Sequence, residues 1–405
     1  MLIRILITIV LISLLSCSNS EYGKEYGNLL GGKGRSNSYE FVEGFQYQMF
    51  SEILLDSNSS ATCPPLILSN NKTILASDNN KIISLYGNEK DWVFELDSSG
   101  IINAGLVSDT NNNIYAISND GQFISLDHSG NLRFKKQLLK LKKLEFFNKP
   151  LYIDGSIVIS SSNGDVVSVD TNGNVNFNLS MGTDIISEVS ASSNEDILIT
   201  LTNGSFGKTD TLLCLNSNGE EKWRFSSNEF RFLKGAITNG EKIAIGGTKQ
   251  VGDNKLSKIF YLDNKGSLLW EKELSSLPRY LSMSNDGEVF VITFDSGFRK
   301  ILSGVFSFSS KGELNWNIYY DYSIPTPALI SENEIAFLAS NRETYGLFFL
   351  NREDGVLIHT LDIGVAAPLN FIPAITEEGT ILFSGKKSLR LIRVDETAIN
   401  KILPY

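Results

Sequence analysis

The 405-residue sequence is poor in the residues that most often carry chemistry: two histidines, His128 and His359, and three cysteines, Cys17, Cys63 and Cys214. Two imidazoles so far apart leave little material for a histidine-based metal cage or for a Ser-His-Asp relay. No Gly-x-Ser-x-Gly stretch stands between a strand and a helix, and no two cysteines are adjacent. Positive charge is also short, with 36 Lys and Arg against 46 Asp and Glu and a net charge of −10. A surface of that sign repels phosphate backbones, which disfavours nucleic-acid binding, and no nucleic-acid partner is expected. Beyond the first twenty residues no apolar run approaches eighteen, so no transmembrane helix is predicted. Helical periodicity is missing over any useful length. What remains is 42% hydrophobic and 20% charged, a composition able to bury a large core. Length alone suggests two or three domains, unless a repeat makes the chain one unit.

The first segment, MLIRILITIVLISLLS, has a positive start at Arg4 and an apolar run of 11 residues from Ile5 to Leu15. That is too short to span a bilayer and suits the core of an export signal. Its removal takes the net charge to about −11. The segment ends in Leu14-Leu15-Ser16-Cys17, which resembles a bacterial lipoprotein box, although Leu15 stands where a small residue is commoner. Lipidation at Cys17 would anchor the exported protein to a membrane without spanning it. The alternative is an ordinary cleaved signal followed by a chance cysteine. Ser18, after Cys17, permits sorting to an outer membrane where the source has two membranes. Export allows a disulfide, but Cys63 precedes the repeats and Cys214 lies in the fourth, so two unpaired thiols are expected.

Internal repetition is the dominant feature. An apolar strand, a turn ending in Gly and a second strand with an aromatic four residues later recur in phase. The turn glycines are Gly130, Gly173, Gly219, Gly266, Gly312 and Gly355, spaced 43, 46, 47, 46 and 43 residues apart. The aromatics are Phe134, Phe177, Trp223, Trp270 and Trp316. A copy near Ile82–Leu85 keeps Trp92 but reads as lacking the Gly; the Gly355 copy reads as lacking the aromatic; the last, Leu389 to Val394, lacks both. Each copy follows its own hairpin, such as Leu281-Ser282-Met283 and Val289-Phe290-Val291-Ile292. Four strands per roughly 40–50 residues is the size of a propeller blade. One such meander cannot bury both apolar faces alone, whereas radially stacked meanders cover one another. The aromatic is expected between neighbouring blades.

The predicted fold is therefore an all-β, eight-bladed β-propeller of four-stranded antiparallel blades over residues 62–405. The blades fall at about 62–100, 101–147, 148–185, 186–231, 232–277, 278–322, 323–365 and 366–405. Residues 1–16 read as the lipoprotein signal peptide and 17–40 as a Gly-, Ser- and Asn-rich tether. Residues 41–61 read as a ring-closing or capping segment that adds to the last blade. The run Leu262-Asp263-Asn264-Lys265-Gly266-Ser267-Leu268-Leu269-Trp270 resembles the tryptophan-docking repeat of quinoprotein-like (PQQ-type) propellers. A lipid-anchored propeller of this type is similar to the lipoprotein component of the outer-membrane β-barrel assembly machinery. The resemblance implies a non-enzymatic scaffold with protein partners, β-barrel assembly subunits among them, at the outer membrane or cell surface. No cofactor is expected.

Rival readings are a surface lipoprotein that binds a host or envelope ligand, and a PQQ-dependent enzyme with its site in the funnel. Such enzymes carry an adjacent Cys-Cys pair that this chain lacks. Asp109-Thr110-Asn111-Asn112-Asn113, with Asp120, resembles the start of a calcium loop, but Ile114 replaces the required Gly and Asp120 the bidentate Glu. A hairpin turn is the expectation, as it is for Asp127, Asp170 and Asp263. The one basic cluster, Lys135, Lys136, Lys140, Lys142 and Lys143, suits either an acidic partner or lipid headgroups, or it blunts an exposed blade edge.

Overall fold

The structure, a computed structural model, describes residues 47–396 except 57, 98–99, 140–146, 186–188, 193, 203–208, 253, 297–300, 341–344, 365–372, 376–379 and 385–388. The signal segment and the tether, Cys17 included, lie outside the described residues.

Every described element is a strand, and the strands form antiparallel sheets, most of them four-stranded, in a propeller-like arrangement. The first strand, β1 (Tyr47–Asp56), joins a sheet completed only at the end of the chain. Sheet 1 contains β2 (Leu66–Ile67), β3 (Lys72–Ser77), β4 (Lys81–Tyr86) and β5 (Glu89–Glu95). Sheet 2 contains β6 (Leu106–Ser108), β7 (Ile114–Ile117), β8 (Gln122–Leu126) and β9 (Leu132–Gln137). Sheet 3 contains β10 (Leu151–Ile153), β11 (Ser156–Ser160), β12 (Asp165–Asp170) and β13 (Val175–Ser180). In sheet 4, β14 (Asp184–Ile185) and β15 (Ser190–Ala191) both pair with β16 (Ile197–Thr202), followed by β17 (Asp210–Leu215) and β18 (Glu221–Ser227).

Sheet 5 contains β19 (Arg231–Thr238), β20 (Lys242–Val251), β21 (Asn254–Asp263) and β22 (Leu268–Leu274). Sheet 6 contains β23 (Leu277–Met283), β24 (Val289–Ser296), β25 (Ile301–Phe308) and β26 (Leu314–Tyr320). Sheet 7 contains β27 (Leu329–Ile330), β28 (Glu334–Ser340), β29 (Tyr345–Asn351) and β30 (Leu357–Gly364). The last sheet, sheet 8, holds β31 (Ala374–Ile375), β32 (Ile381–Ser384) and β33 (Leu389–Glu396), with β1 paired along β33 from Tyr47↔Glu396 to Asp56↔Leu389.

Sequence pattern dictates strand position within each sheet. The middle strands, such as β11 and β12, are buried on both faces and read as near-continuous apolar runs. Outer strands such as β13 and β18 alternate exposed and half-buried residues, covering the core with one face only. Apolar clusters then bridge neighbouring sheets. Tyr261, Ala244 and Ile259 of sheet 5 pack with Met283, Val289 and Phe306 of sheet 6. The first and last sheets also meet, through Leu75, Ile83 and Leu85 against Leu382, Ile53 and Leu55.

A β-bulge follows the same register position in every sheet. Trp92↔Ser84, Phe134↔Ser125, Phe177↔Ser168, Trp223↔Cys214, Trp270↔Tyr261 and Trp316↔Ser307 each precede a register shift. A bulge bends the outer strand and re-aims its side chain. Two sequence readings need correction here. The first repeat does have a turn glycine, Gly87 with φ of +59°, in a two-residue connection that moves Trp92 to five residues beyond it. The seventh repeat places His359, four residues after Gly355, at the aromatic's register position opposite Phe349, with the two rings 6.1 Å apart.

Candidate functional site

In a four-stranded meander the first and third connections lie at one end of the sheet, and the turns that carry the repeat glycines are all third connections. Each of the six from Gly130 to Gly355 is closed by an Asx- or Ser-type cap. Asp127 accepts bonds from the N–H groups of Ser129 and Asn131, and from Asn131 Nδ2 at 2.9 Å. Asp170 repeats the pattern with Asn172 and Asn174. Asp263 does so with the N–H groups of Lys265 and Ser267. Partial burial raises the Asp127 and Asp170 pKa values, but these hydrogen bonds outweigh it and hold both carboxyls below their ordinary value. Asp109 likewise caps its hairpin turn, accepting the N–H groups of Asn111 and Asn113. Among the described residues no group of three or more His, Cys, Asp or Glu side chains is placed to hold a metal ion.

The repeat aromatics dock onto the glycine turn of the following sheet. A Cβ built on Gly130, Gly173, Gly219, Gly266, Gly312 or Gly355 would lie 2.5 to 2.9 Å from a ring carbon of Trp92, Phe134, Phe177, Trp223, Trp270 or Trp316, respectively. Gly312 shows both constraints: φ is +81°, and Trp270 Cδ2 lies 2.8 Å from the hypothetical Cβ. Each indole also donates its N–H across the joint. Trp92 bonds the His128 carbonyl at 3.2 Å, Trp223 the Asn264 carbonyl at 3.1 Å, Trp270 the Ser310 carbonyl at 3.0 Å and Trp316 the Arg352 carbonyl at 2.8 Å. A phenyl cannot donate. At the Phe134 joint Lys136 Nζ supplies the bonds, reaching the Asn172 carbonyl at 3.1 Å and the Gly173 carbonyl at 2.9 Å, with the amine 5.4 Å from the Phe134 centroid.

This changes the reading of the basic cluster. Lys136 is committed to the next sheet, and Lys135 lies 3.4 Å from Asp97, an exposed partner. Lys140, Lys142 and Lys143 fall outside the described residues. A second set of joints runs through the first strands, where Ser190 donates to the Ala236 carbonyl at 3.0 Å and Ser282 to the Ala328 carbonyl at 2.7 Å.

Between sheets 6 and 7 the turn end opens into a polar cleft of about 780 Å³, lined by Asp286, Glu288, Asn315, Glu332, Arg352 and Glu353 among others. Arg352 Nε donates to Glu288 at 2.7 Å and Nη2 to Asp286 at 2.6 Å. Burial opposes the Arg352 charge, yet the bond to Glu288 and the two carboxylates raise its pKa further. Burial likewise works against the Asp286 charge, but the hydrogen bond from Ser284 and the Arg352 guanidinium lower its pKa. The cleft is open and polar-walled, suited to hydrated polar contact rather than to an apolar ligand. Sequence reasoning missed this group because Arg352 lies more than sixty residues from both Asp286 and Glu288.

Both described cysteines are free and buried. Burial pushes the Cys63 thiol up to about 11. Cys214 is pushed up to about 12, by burial first and the Asp196 charge second. Such thiols behave as small core residues, not nucleophiles.

A family described as outer membrane protein assembly factor BamB matches residues 76–355. No curated protein matches the sequence. Among solved structures, the chain is similar to BamB from Moraxella catarrhalis, with a TM-score of 0.63 and 15% identity over 87% of this chain and 98% of that one. It is also similar to the Dos1 propeller, with a TM-score of 0.66 and 12% identity over 87% and 96% of the two chains. The C-terminal WD40 domain of Sif2 gives 0.62 and 10% identity over 88% and 99%. At these identities the solved structures speak for the fold alone.

Proposed function

The chain belongs to the family of outer membrane protein assembly factor BamB, and from that membership we propose that it is a non-enzymatic scaffold serving outer-membrane protein assembly. The observation that carries the reading is the family match across residues 76–355, most of the sheets described above. In this proposal the eight sheets are the blades of one closed ring over residues 62–405, with segment 41–61 supplying the strand that completes the last blade. Residues 1–16 are the export signal, Cys17 carries the lipid, and 17–40 tether the ring to the outer membrane. As a flexible coil, a tether of that length has a root-mean-square reach of roughly 25–30 Å. The ring would therefore work close to the membrane surface.

The mechanism asks for rigidity rather than chemistry. Aromatic joints hold neighbouring sheets in fixed relation, so the loops at their ends form a stable platform for a protein partner. The partners proposed are subunits of the β-barrel assembly machinery. The basic run Lys135, Lys140, Lys142 and Lys143 is retained as a contact for an acidic partner, whereas Lys136 is withdrawn because its amine bonds the next sheet.

The test is crosslinking in native membranes followed by purification of the full chain. Recovery of β-barrel assembly subunits is the expected result. Their absence, together with protease sensitivity of the chain on intact cells, would overturn the proposal in favour of a surface lipoprotein that binds an external ligand. Replacing Cys17 with Ala is expected to release the protein from the membrane fraction; unchanged membrane retention would remove the lipid anchor from the account.

A further inference from the structure

Six successive joints, from sheet 1 against sheet 2 to sheet 6 against sheet 7, carry an aromatic from the outer strand set over the glycine turn of the next sheet. The two joints that involve sheet 8 are built differently. In β30 the docking register position holds His359, whose ring stacks on Phe349 of its own sheet and whose Nε2 has no hydrogen-bond partner among the described residues. In β1 the corresponding position, opposite Arg393 and next to the same bulge, is Ser51. Residue identity alone therefore denies both places an indole or phenyl.

Sheet 8 is also the sheet assembled from both ends of the chain. In the other sheets the outer strand follows its partner through a short turn, so a broken pair reforms at high effective concentration. By contrast, β1 and β33 are separated by every other sheet, and no turn connects them. Their ladder carries two register irregularities, between Met49 and Ser51 and between Leu54 and Asp56. The described contacts that tie this region to sheet 1 include a small apolar cluster around Leu382, Ile53 and Leu55, a hydrogen bond from Asn79 Nδ2 to the Asp56 carboxylate at 3.0 Å, and the Ser384 hydroxyl bonded to the Cys63 carbonyl.

We infer that β1 is a detachable latch: the ring opens first along the β1–β33 ladder, while the joints of sheets 1 to 7 stay shut. The proposed membrane tether, residues 17–40, lies on the N-terminal side of β1, so tension on the anchor would act on the latch before any other strand. This conformational device rests on the closed ring proposed above.

The test is native-state hydrogen exchange, read by mass spectrometry on the full-length chain with position-matched strands compared. Amides of β1 should exchange at least tenfold faster than those of β22 and β26, the equivalent outer strands. Amides of β33 should exchange at least tenfold faster than those of β21 and β25. A disulfide between Ile53→Cys and Leu391→Cys, which face each other in register, should abolish the difference when oxidised and restore it on reduction. Equal protection of sheets 6 and 8 in the unmodified protein overturns the latch whether or not the double variant folds. The scaffold reading fails separately, in the pull-down: missing assembly subunits with fast β1 exchange would sink that reading and leave the latch standing.

Discussion

Sheets 5 and 6 and sheets 7 and 8 are both neighbouring pairs of four-stranded antiparallel sheets, yet they are joined by different chemistry. At the first joint Trp270 stacks on Tyr261 with centroids 4.5 Å apart and planes 9° from parallel, donates to the Ser310 carbonyl, and covers Gly312. At the second, His359 occupies the same register position, and its Nε2 has no partner among the described residues. A half-buried indole with its hydrogen bond contributes roughly 3 kcal/mol. A smaller imidazole contributes less, because it buries less apolar area than an indole. Sheet pairing alone sets the architecture; the residue at one position sets how firmly neighbours hold.

That contrast can be broken most forcefully at the strong joint. Trp270→Ala should lower unfolding stability by about 3 kcal/mol, whereas His359→Ala should cost about 1 kcal/mol or less. Urea denaturation midpoints of the two variants check the ranking, and equal losses would remove the distinction between the joints. The next effect in size is electrostatic. Arg352→Met leaves Glu288, which has 12% of its side-chain surface exposed, facing Asp286 without its cation. The expected cost is about 2 kcal/mol, measured the same way.

A smaller difference separates two neighbouring lysines. Lys136→Met should cost about 1 kcal/mol, because the Asn172 and Gly173 carbonyls lose their donor. Lys135→Met should stay within about 0.5 kcal/mol, since its partner Asp97 is solvent-exposed. Least in size is the pH effect. Asp127, Asp170 and Asp286 have pKa values held below the ordinary carboxylate value in the folded chain. The unfolded state then binds more protons than the folded state in the acid range. Their contribution is present above the unfolded value, about 3.9, and is lost as pH falls through the folded values. Midpoints measured from pH 6 to pH 2 should fall below about pH 4, and less steeply in Arg352→Met, where Asp286 loses its guanidinium neighbour.

The joints were legible in the sequence because a glycine and an aromatic four residues apart recur in phase, and the bulge that aims the aromatic needs no other signal. The docking partner was not legible. Each aromatic meets the glycine of the following repeat, some forty residues on, rather than its own. Lys136 reads locally as surface charge, since only the joint shows that Phe134 lacks the N–H its tryptophan counterparts donate. His359 carries no such signal, because an imidazole breaks the recurring pattern of indole and phenyl. The Arg352, Glu288 and Asp286 group could not be found by spacing, because stacking of sheets, not sequence proximity, brings it together. Asp127 and Asp170 were readable as turn caps because Asx turns are local.

The account stands on direct contact between the outer-strand aromatic and the next sheet's glycine, and a double-mutant cycle of Trp270→Ala with Gly312→Ala measures it. In the parent, Gly312→Ala meets both a strained φ and the Trp270 ring, and should cost roughly 2–3 kcal/mol. With the ring removed only the backbone strain remains, about 1 kcal/mol, so the two substitutions should couple by at least 1 kcal/mol. Strictly additive losses would contradict the docking of each sheet onto the next.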